Sequence, residues 1–275
     1  MRSHPVSFLS ALVALAAVAA PLPLCADAPK PAAKVLKAKG VSATEAIPDE
    51  KGRTWWMPRH EAAVKLLAER KPDILLIGDS ITHWWGGEPT EGGRGTGKAV
   101  FDHYFGDRKV VNLGCASDRT YHVLWRLKNG ELDGISPKVA VVMIGTNNHP
   151  TPGHSPEDTA AGVKAICALI REKLPKTKIL LLGVFPRNNQ SGADFIAFPS
   201  RVNAILRKLH GANGITYLEI NDSLGNPDGT TRAGLFSDRL HPTAAGYKVW
   251  AEAMEPTLAR LLGVPPKRPM PAASK

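Results

Sequence analysis

Five short apolar runs are spaced through the middle of the chain and predict buried β-strands. Each run is four to six residues long and, for the most part, rich in branched aliphatic side chains. Such near-continuous hydrophobicity is typical of strands covered on both faces of a parallel sheet. The runs occupy residues 74–77, 110–113, 139–144, 179–182 and 215–218.

Amphipathic patterns with helical spacing separate these runs. In the clearest of them, Val163, Ile166, Ile170 and Leu174 share one face, while Arg171 lies on the outside. Helices are predicted over residues 58–69, 121–128, 156–173, 200–210 and 243–262. The alternation of strand and helix predicts an α/β fold, in which a five-stranded parallel sheet is sandwiched between two helical layers.

Polar residues follow three of the predicted strands, at the edge where α/β sheets bind their ligands. Ser80 follows the first strand, and a loop of small residues at 114–120 follows the second. Asn147 follows the third strand, where an amide side chain can donate to an oxyanion. Taken singly, each also has an ordinary structural explanation as a helix cap or a turn residue.

A base with an orienting group stands just before the last predicted helix. Asp238 and His241 are three residues apart, so both side chains can face one point, and the carboxylate can orient the imidazole. A serine hydroxyl is a poor nucleophile without an adjacent base, and a developing oxyanion needs donors. Ser80, Asn147, Asp238 and His241 together therefore predict acyl-transfer chemistry.

These residues resemble those of the SGNH, or GDSL-type, esterases and lipases, above all the platelet-activating-factor-acetylhydrolase-like branch. The resemblance covers about residues 72–262 and is carried by 78–80, 145–148, 238–242 and the segment 122–132. It implies the flavodoxin-like SGNH hydrolase fold. It further implies Ser80 as nucleophile, His241 as base, Asp238 as its partner, and an oxyanion hole formed by the Ser80 amide and the Asn147 side chain. No cofactor is implied, and no pattern of metal ligands is seen.

One position departs from the family's pattern. The second block of the family usually has a glycine directly before an aspartate, and the amide of that glycine donates to the oxyanion. Here Ser117 precedes Asp118, and Ala116 precedes Ser117. Because any residue except proline keeps the amide, Ser117 is expected to supply this donor, with backbone strain if its φ is positive.

Composition and charge exclude several other classes of protein. The chain has 275 residues, of which 43% are hydrophobic and 22% charged, as in ordinary globular proteins. The formal net charge is +10, but much of it comes from Pro/Ala/Lys-rich ends, and residues 53–266 hold 26 basic against 21 acidic residues. No basic stripe runs through this span, so a nucleic-acid partner is not expected.

The N-terminal segment has the pattern of a secretory signal peptide. Arg2 precedes an apolar stretch at 6–20, which is too short for a relaxed membrane span, and small residues follow near Ala26. The predicted organisation is a signal peptide at 1–26, a Pro/Ala/Lys-rich linker at 27–52, a hydrolase domain at 53–266 and a flexible basic tail at 267–275. This predicts a secreted or periplasmic protein without stable membrane insertion after cleavage. An uncleaved N-terminal anchor is the main alternative.

Cysteine and tryptophan positions leave two questions open. Cleavage after residue 26 leaves Cys115 and Cys167 as the only thiols, and their pairing is undecided. Trp84 and Trp85 follow the Ser80 block, where they either stack on a sugar ring or pack in the core or at its rim.

The expected function is that of a secreted serine esterase. It would remove short acyl groups, above all acetyl, from a carbohydrate or small ester substrate through an acyl-enzyme on Ser80. The alternatives are an O-acyltransferase that uses the same residues and a non-catalytic glycan-binding protein on the same fold. The natural substrate and the oligomeric state stay open.

Overall fold

A computed structural model describes Met1 and residues 42–49, 52–88, 94–149 and 153–271. The chain divides into two units, 1–34 and 35–275, and the account below concerns the second. Apart from Met1, the predicted signal peptide lies outside the described residues. In the described part of the chain, no helix has the combined length and apolar character needed to cross a membrane.

Five parallel strands form one sheet in the order β2-β1-β3-β4-β5. The strands are β1 (Ile74–Gly78), β2 (Val110–Gly114), β3 (Val139–Met143), β4 (Lys178–Leu182) and β5 (Ile215–Leu218). All five predicted strands and the α/β class are confirmed. The strand order reverses beside β1, because β2 lies on one side of β1 and β3 on the other. Such a reversal opens a crevice at the carboxyl ends of the strands.

Helices cover both faces of the sheet. They are α1 (Trp56–Arg70), α2 (Ser80–His83), α3 (Lys98–Phe105), α4 (Thr120–Arg126), α5 (Pro156–Lys173), α6 (Ala193–Leu206), α7 (Asn221–Leu224) and α8 (Ala244–Leu262). Leu75, Val111 and Val142 point to the face that packs against α1, α4, α5 and α6. Leu76 and Val141 point to the opposite face, against α3 and α8. The predicted three-layer sandwich is therefore confirmed.

Two helices differ from the sequence-based expectation. The helix predicted at 200–210 begins at Ala193, because Phe195 and Phe198 continue its buried face across Pro199. Helix α3 was not predicted. It is only eight residues long, and it is held by buried aromatic side chains that pack in the same cluster as α8 rather than by a long amphipathic pattern.

Parts of the two predicted flanking segments lie against the domain. Within residues 42–49, the carbonyl of Ala43 accepts a hydrogen bond from the Thr120 hydroxyl at 2.8 Å. In the basic tail, the amide of Met270 donates to the Tyr104 hydroxyl at 3.2 Å. The domain boundaries at 53 and 266 stay predictions.

A buried carboxylate fixes the loop that follows β2. Asp118 is fully buried and accepts hydrogen bonds from Trp56 Nε1 at 2.7 Å, Arg126 Nε at 2.9 Å and Arg53 Nη2 at 3.3 Å. Trp56 lies in α1, Arg126 in α4 and Arg53 just before α1. The loop is therefore held by hydrogen bonds from α1, which precedes β1 in the chain, and from α4.

The same buried network extends to a second carboxylate. Arg126 Nη1 donates to Glu131 at 2.5 Å, and His60 Nδ1 lies 3.0 Å from the other Glu131 oxygen. Burial by itself raises the pKa of Glu131, but the Arg126 guanidinium and the His60 ring outweigh it and hold that pKa below its usual value. Each of these charges has been removed from water, so its stability depends on the opposite charges and hydrogen bonds of its partners.

Replacing the shared guanidinium should cost far more stability than replacing an exposed one. Arg126→Met leaves two buried carboxylates short of a partner, so the free energy of unfolding should fall by about 3–5 kcal/mol. The matched control is Arg201→Met, because Arg201 pairs with Asp194 at 3.0 Å on the surface and should cost within about 1 kcal/mol. Urea unfolding measures both. Similar small losses in the two variants would show that the network does not hold the loop.

Candidate active site

Three neighbouring strands deliver the predicted site residues to one edge of the sheet. The register pairs Gly78 at the end of β1 with Gly114 of β2 and with Met143 of β3. Ser80 lies two residues beyond its strand, Ser117 three and Asn147 four. The structure therefore brings the loops that carry these residues together at the crevice beside β1.

Close backbone approach at two glycines lets α2 begin directly at this edge. A Cβ on Gly78 would lie 2.1 Å from the Thr82 hydroxyl oxygen, and one on Gly114 would lie 2.3 Å from the His83 amide nitrogen. Neither position has room for a side chain. Glycine at both strand ends thus allows the turn that places Ser80 at the start of α2.

Ser80, His241 and Asp238 form a continuous chain of hydrogen bonds. Ser80 Oγ lies 2.9 Å from His241 Nε2, and His241 Nδ1 lies 2.6 Å from Asp238 Oδ2. A carboxylate only accepts, so Nδ1 donates to Asp238, and the neutral ring accepts the Ser80 proton through Nε2. The other Asp238 oxygen accepts from the amides of Leu240 and His241 at 3.1 and 2.7 Å, which fixes the carboxylate.

The electrostatics of the site keep the imidazole neutral and the carboxylate ionised. Burial lowers the pKa of His241, and Arg94 lowers it further, while Asp238 acts in the opposite direction. For Asp238, burial raises the pKa, but the His241 amide and ring outweigh this and hold the pKa below its usual value. A neutral imidazole next to a charged carboxylate is the state in which such a ring can accept a proton.

Asn147 lies in a 3₁₀ turn, Thr146–Asn148, that follows β3. Its side-chain amide donates to the Asp118 carbonyl at 3.0 Å, and the second hydrogen of that NH₂ group has no acceptor among the described residues. This bond joins the loops after β2 and β3. The Asn147 amide is therefore held in place by the loop that contains Ser117.

Ser117 has the positive φ that its glycine-like position requires. Its φ is +63°, a conformation that strains a residue with a side chain. The side chain is exposed, and the Ser117 amide donates to no acceptor within the residues that the structure describes. The geometry thus presents a backbone N–H at the position where the sequence departs from the pattern of the family it resembles.

A buried arginine that the sequence analysis did not single out supports the Asn147 turn. Arg187 follows β4 and donates to the carbonyls of Thr146 and His149, the latter at 2.9 Å, and to the Thr146 hydroxyl at 3.2 Å. Burial lowers its pKa to about 10, with Asp79 opposing the change, and its guanidinium stacks 3.9 Å from the Phe195 ring. In the sequence, the one feature that could have pointed to Arg187 is that it follows a predicted buried strand, at the edge of the sheet where site residues are expected.

Trp84 contacts the His241 imidazole directly, while Trp85 lies in the core. The ring centroid of Trp84 is 3.9 Å from that of His241, and the Arg94 guanidinium lies 4.3 Å from the Trp84 ring. Trp85 is fully buried against Trp250, so it belongs to the core and is unavailable to a sugar.

Asp79 is a further buried group beside the predicted nucleophile. One of its oxygens accepts from the Ile81 amide at 2.9 Å and caps α2. Burial raises its pKa to about 7, with the charge of Asp118 adding to the rise, while the Ile81 amide and Arg187 oppose it.

Cys115 and Cys167 are both buried free thiols, so the two cysteines are not paired with each other in this structure.

Comparison with known proteins places this arrangement in a family. Residues 76–249 match the model of the GDSL-like Lipase/Acylhydrolase family. The chain is 33% identical over 217 residues to platelet-activating factor acetylhydrolase IB subunit alpha1 of Bos taurus, covering 78% of this chain and 88% of that protein. It is 32% identical over 234 residues to the alpha2 subunit of Rattus norvegicus, covering 83% and 96%.

Solved structures share the fold at lower sequence identity. A GDSL-like lipase from Bacteroides thetaiotaomicron superposes with a TM-score of 0.55 at 16% identity, covering 70% of this chain and 90% of that one. A catalytic mutant of an acetylxylan esterase from Geobacillus stearothermophilus superposes with a TM-score of 0.53 at 19% identity, covering 70% and 95%.

The family match spans the segment from β1 into α8, which contains the three strand-end loops and the turn that carries Asp238 and His241. The curated relatives are matched over most of their length as well as most of this chain. The predicted family membership is thereby confirmed: the chain belongs to the GDSL-like lipase/acylhydrolase family and is a carboxylic ester hydrolase.

Proposed function

We propose that the protein hydrolyses short-chain acyl esters, above all acetyl esters, of a carbohydrate or small polar alcohol through an acyl-enzyme on Ser80. The observation that carries this proposal is the hydrogen-bond chain from Ser80 through His241 to Asp238. It gives a hydroxyl, a base and an orienting carboxylate in the order that nucleophilic acyl transfer requires.

The reaction follows from the position of the proton. His241 Nε2 takes the Ser80 proton as Oγ bonds to the ester carbonyl carbon, and Asp238 stabilises the imidazolium that forms. The tetrahedral intermediate then collapses, the bond to the alcohol oxygen breaks, and His241 returns the proton to that oxygen. In the second half, His241 takes a proton from the water that attacks the acyl carbon. The bond to Ser80 Oγ then breaks, and His241 returns the proton to Oγ as the acid leaves.

The oxyanion would be held by donors from all three strand-end loops. The proposed donors are the Ser80 amide at the start of α2, the Ser117 amide after β2 and the Asn147 side chain after β3. Each donor is fixed before substrate arrives, the last by the Asp118 carbonyl and indirectly by Arg187. Preorganised donors of this kind lower the barrier because they need no reorientation as charge develops.

The surface supports a short acyl group and a polar alcohol. The large apolar side chains that are exposed among the described residues are Met1, Met57 and Val264. Met57 lies on α1 and Val264 follows α8, so neither is in a loop that carries a proposed site residue. Acetyl is also the acyl group in the names of the curated relatives and of the acetylxylan esterase neighbour. We also propose that the esterase is secreted or periplasmic, because its apolar N-terminal segment has the pattern of a signal peptide.

Removal of the nucleophile is the direct test of this function. Ser80→Ala should lower kcat on a chromogenic acetyl ester by roughly 10⁴-fold or more, because His241 Nε2 meets no other hydroxyl in the part of the chain that the structure describes. Ser223→Ala, an exposed serine in α7, is the matched control and should retain wild-type turnover. Full activity of Ser80→Ala, with the acetyl ester still consumed at the wild-type rate, would disprove the assignment.

Two adjacent asparagines should separate catalysis from stability. Asn147→Ala removes the proposed oxyanion donor and should lower kcat by about 10²–10³-fold. Asn148 is buried and bonded to the Thr120 amide and hydroxyl and to His154, so Asn148→Ala should instead lower the free energy of unfolding by about 1–3 kcal/mol.

Initial-rate kinetics and urea unfolding are measured on both variants. If Asn147→Ala kept its kcat, Asn147 would have no place in the oxyanion hole, whatever its effect on stability.

A further inference from the structure

A polar cleft adjoins the turn that carries Asp238 and His241. The cleft has a volume of about 450 Å³ and is lined by four consecutive polar residues, 188–191, together with Gly192, Ile196 and Arg239. Asn189, Gln190 and Ser191 are exposed, and their side chains make no hydrogen bond within the described residues. The wall thus offers amide and hydroxyl groups, with Ile196 as its one large apolar side chain.

The cleft is joined to the catalytic turn by the backbone. The amide of Asn188 donates to the Arg239 carbonyl at 3.0 Å. Arg239 has a φ of +62°, which is rare for a residue with a side chain and shows that the surrounding turn holds it in place. Its Cα lies two residues from that of His241, so the two are at most about 7.6 Å apart. The wall of the cleft therefore begins within two residues of His241.

Two exposed arginines lie near this turn, Arg94 close enough to act on the imidazole and Arg239 in the wall of the cleft. The guanidinium groups of Arg239 and Arg94 form no ion pair within the described part of the chain, and both residues are exposed. Arg94 lies over Trp84, which itself contacts His241. The acidic groups on the neighbouring elements are already engaged, Asp238 with His241 and Asp194 with Arg201.

We propose that this cleft binds the alcohol portion of an acidic carbohydrate ester, with Arg239 pairing with the carboxylate of a uronic acid. The inference rests on the proposed function, because it assigns a leaving group to the same acyl transfer. The hydroxyls of the sugar match the amides at 188–191, and a guanidinium binds a carboxylate through paired N–H donors. A lipid chain would instead need an apolar wall, which these residues do not form.

The test uses two substrates that differ only in the charged group. An O-acetylated methyl glucuronoside carries a carboxylate where the matching methyl glucoside carries a hydroxymethyl group. We expect kcat/KM to be about 10-fold higher for the glucuronoside, the factor that one charge-assisted contact supplies. Arg239→Gln should bring the ratio of the two kcat/KM values close to 1, chiefly through KM. Salt at about 0.5 M should also reduce the ratio, because it screens an exposed pair.

Two further variants make the result specific. Arg260→Gln removes an exposed arginine from α8 and should keep the wild-type ratio. Gln190→Ala removes a hydrogen-bonding group without changing charge, so it should raise KM for both glycosides by a similar factor. Hydrolysis of the glucoside by each variant reports that the catalytic turn is still folded.

The outcomes separate the two levels of the proposal. A wild-type protein that cleaves neither glycoside nor an aryl acetate would overturn the proposed function itself. Hydrolysis of the aryl acetate with equal kcat/KM for both glycosides, or a ratio unchanged by Arg239→Gln, would overturn only the acidic-sugar site. A clear preference for acetylated glycerol phosphate over the glucuronoside would assign Arg239 to a phosphate group and contradict the carbohydrate class.

Discussion

The hydrogen bond between Ser80 Oγ and His241 Nε2 is the contact on which the rest of the site depends. It joins residues 161 positions apart, so local structure alone cannot produce it. Strand β1 brings Ser80 to the edge of the sheet, and the turn before α8 brings His241 to the same point. The two sides are also tied directly, because the Tyr247 hydroxyl on α8 donates to the Ile81 carbonyl in α2 at 2.7 Å. The position of α8 in the core thus helps to set the distance between the His241 ring and the Ser80 hydroxyl.

The loops that carry the proposed oxyanion donors depend on buried charges rather than on regular structure. Asp118 holds the loop after β2 through Trp56 and Arg126, and Arg187 holds the turn after β3 through carbonyl oxygens. Loops that carry donors must be stiff if the donors are to be aimed before charge develops. Buried ionic groups serve this purpose here because each is expensive to displace once its partners are in place.

The sequence predicted the strands, and it singled out residues that the structure brings together, but it did not reveal the contacts that hold their loops in place. Strand residues such as Leu75 and Val142 are apolar because they are buried on both faces, and this leaves a local pattern that can be read. The tie between Trp56 and Asp118 spans 62 positions, and the contact between Trp84 and His241 spans an even longer distance along the chain. No periodicity encodes such contacts, so they become visible only when the chain is folded.

Two other features show the same limit. Ser117 was expected to carry a donor, but its φ follows from the loop that Asp118 anchors and not from the serine itself. The start of α6 was placed too late, because Pro199 resembles a helix boundary in sequence, whereas Phe195 and Phe198 continue the buried face before it. In both cases tertiary packing decided a backbone conformation that local preference left open.

Covalent labelling with an organophosphonate ester tests the central contact most directly, because phosphonylation needs the same deprotonated hydroxyl as acyl transfer. The account predicts one phosphonyl group per chain, mapped to Ser80 by mass spectrometry of peptides. Since burial lowers the pKa of His241 below the usual range of an imidazole, the labelling rate should stay high at neutral pH and decline only in more acidic solution. Modification of another residue, or labelling of Ser80 at a rate that does not change down to pH 4, would contradict the account.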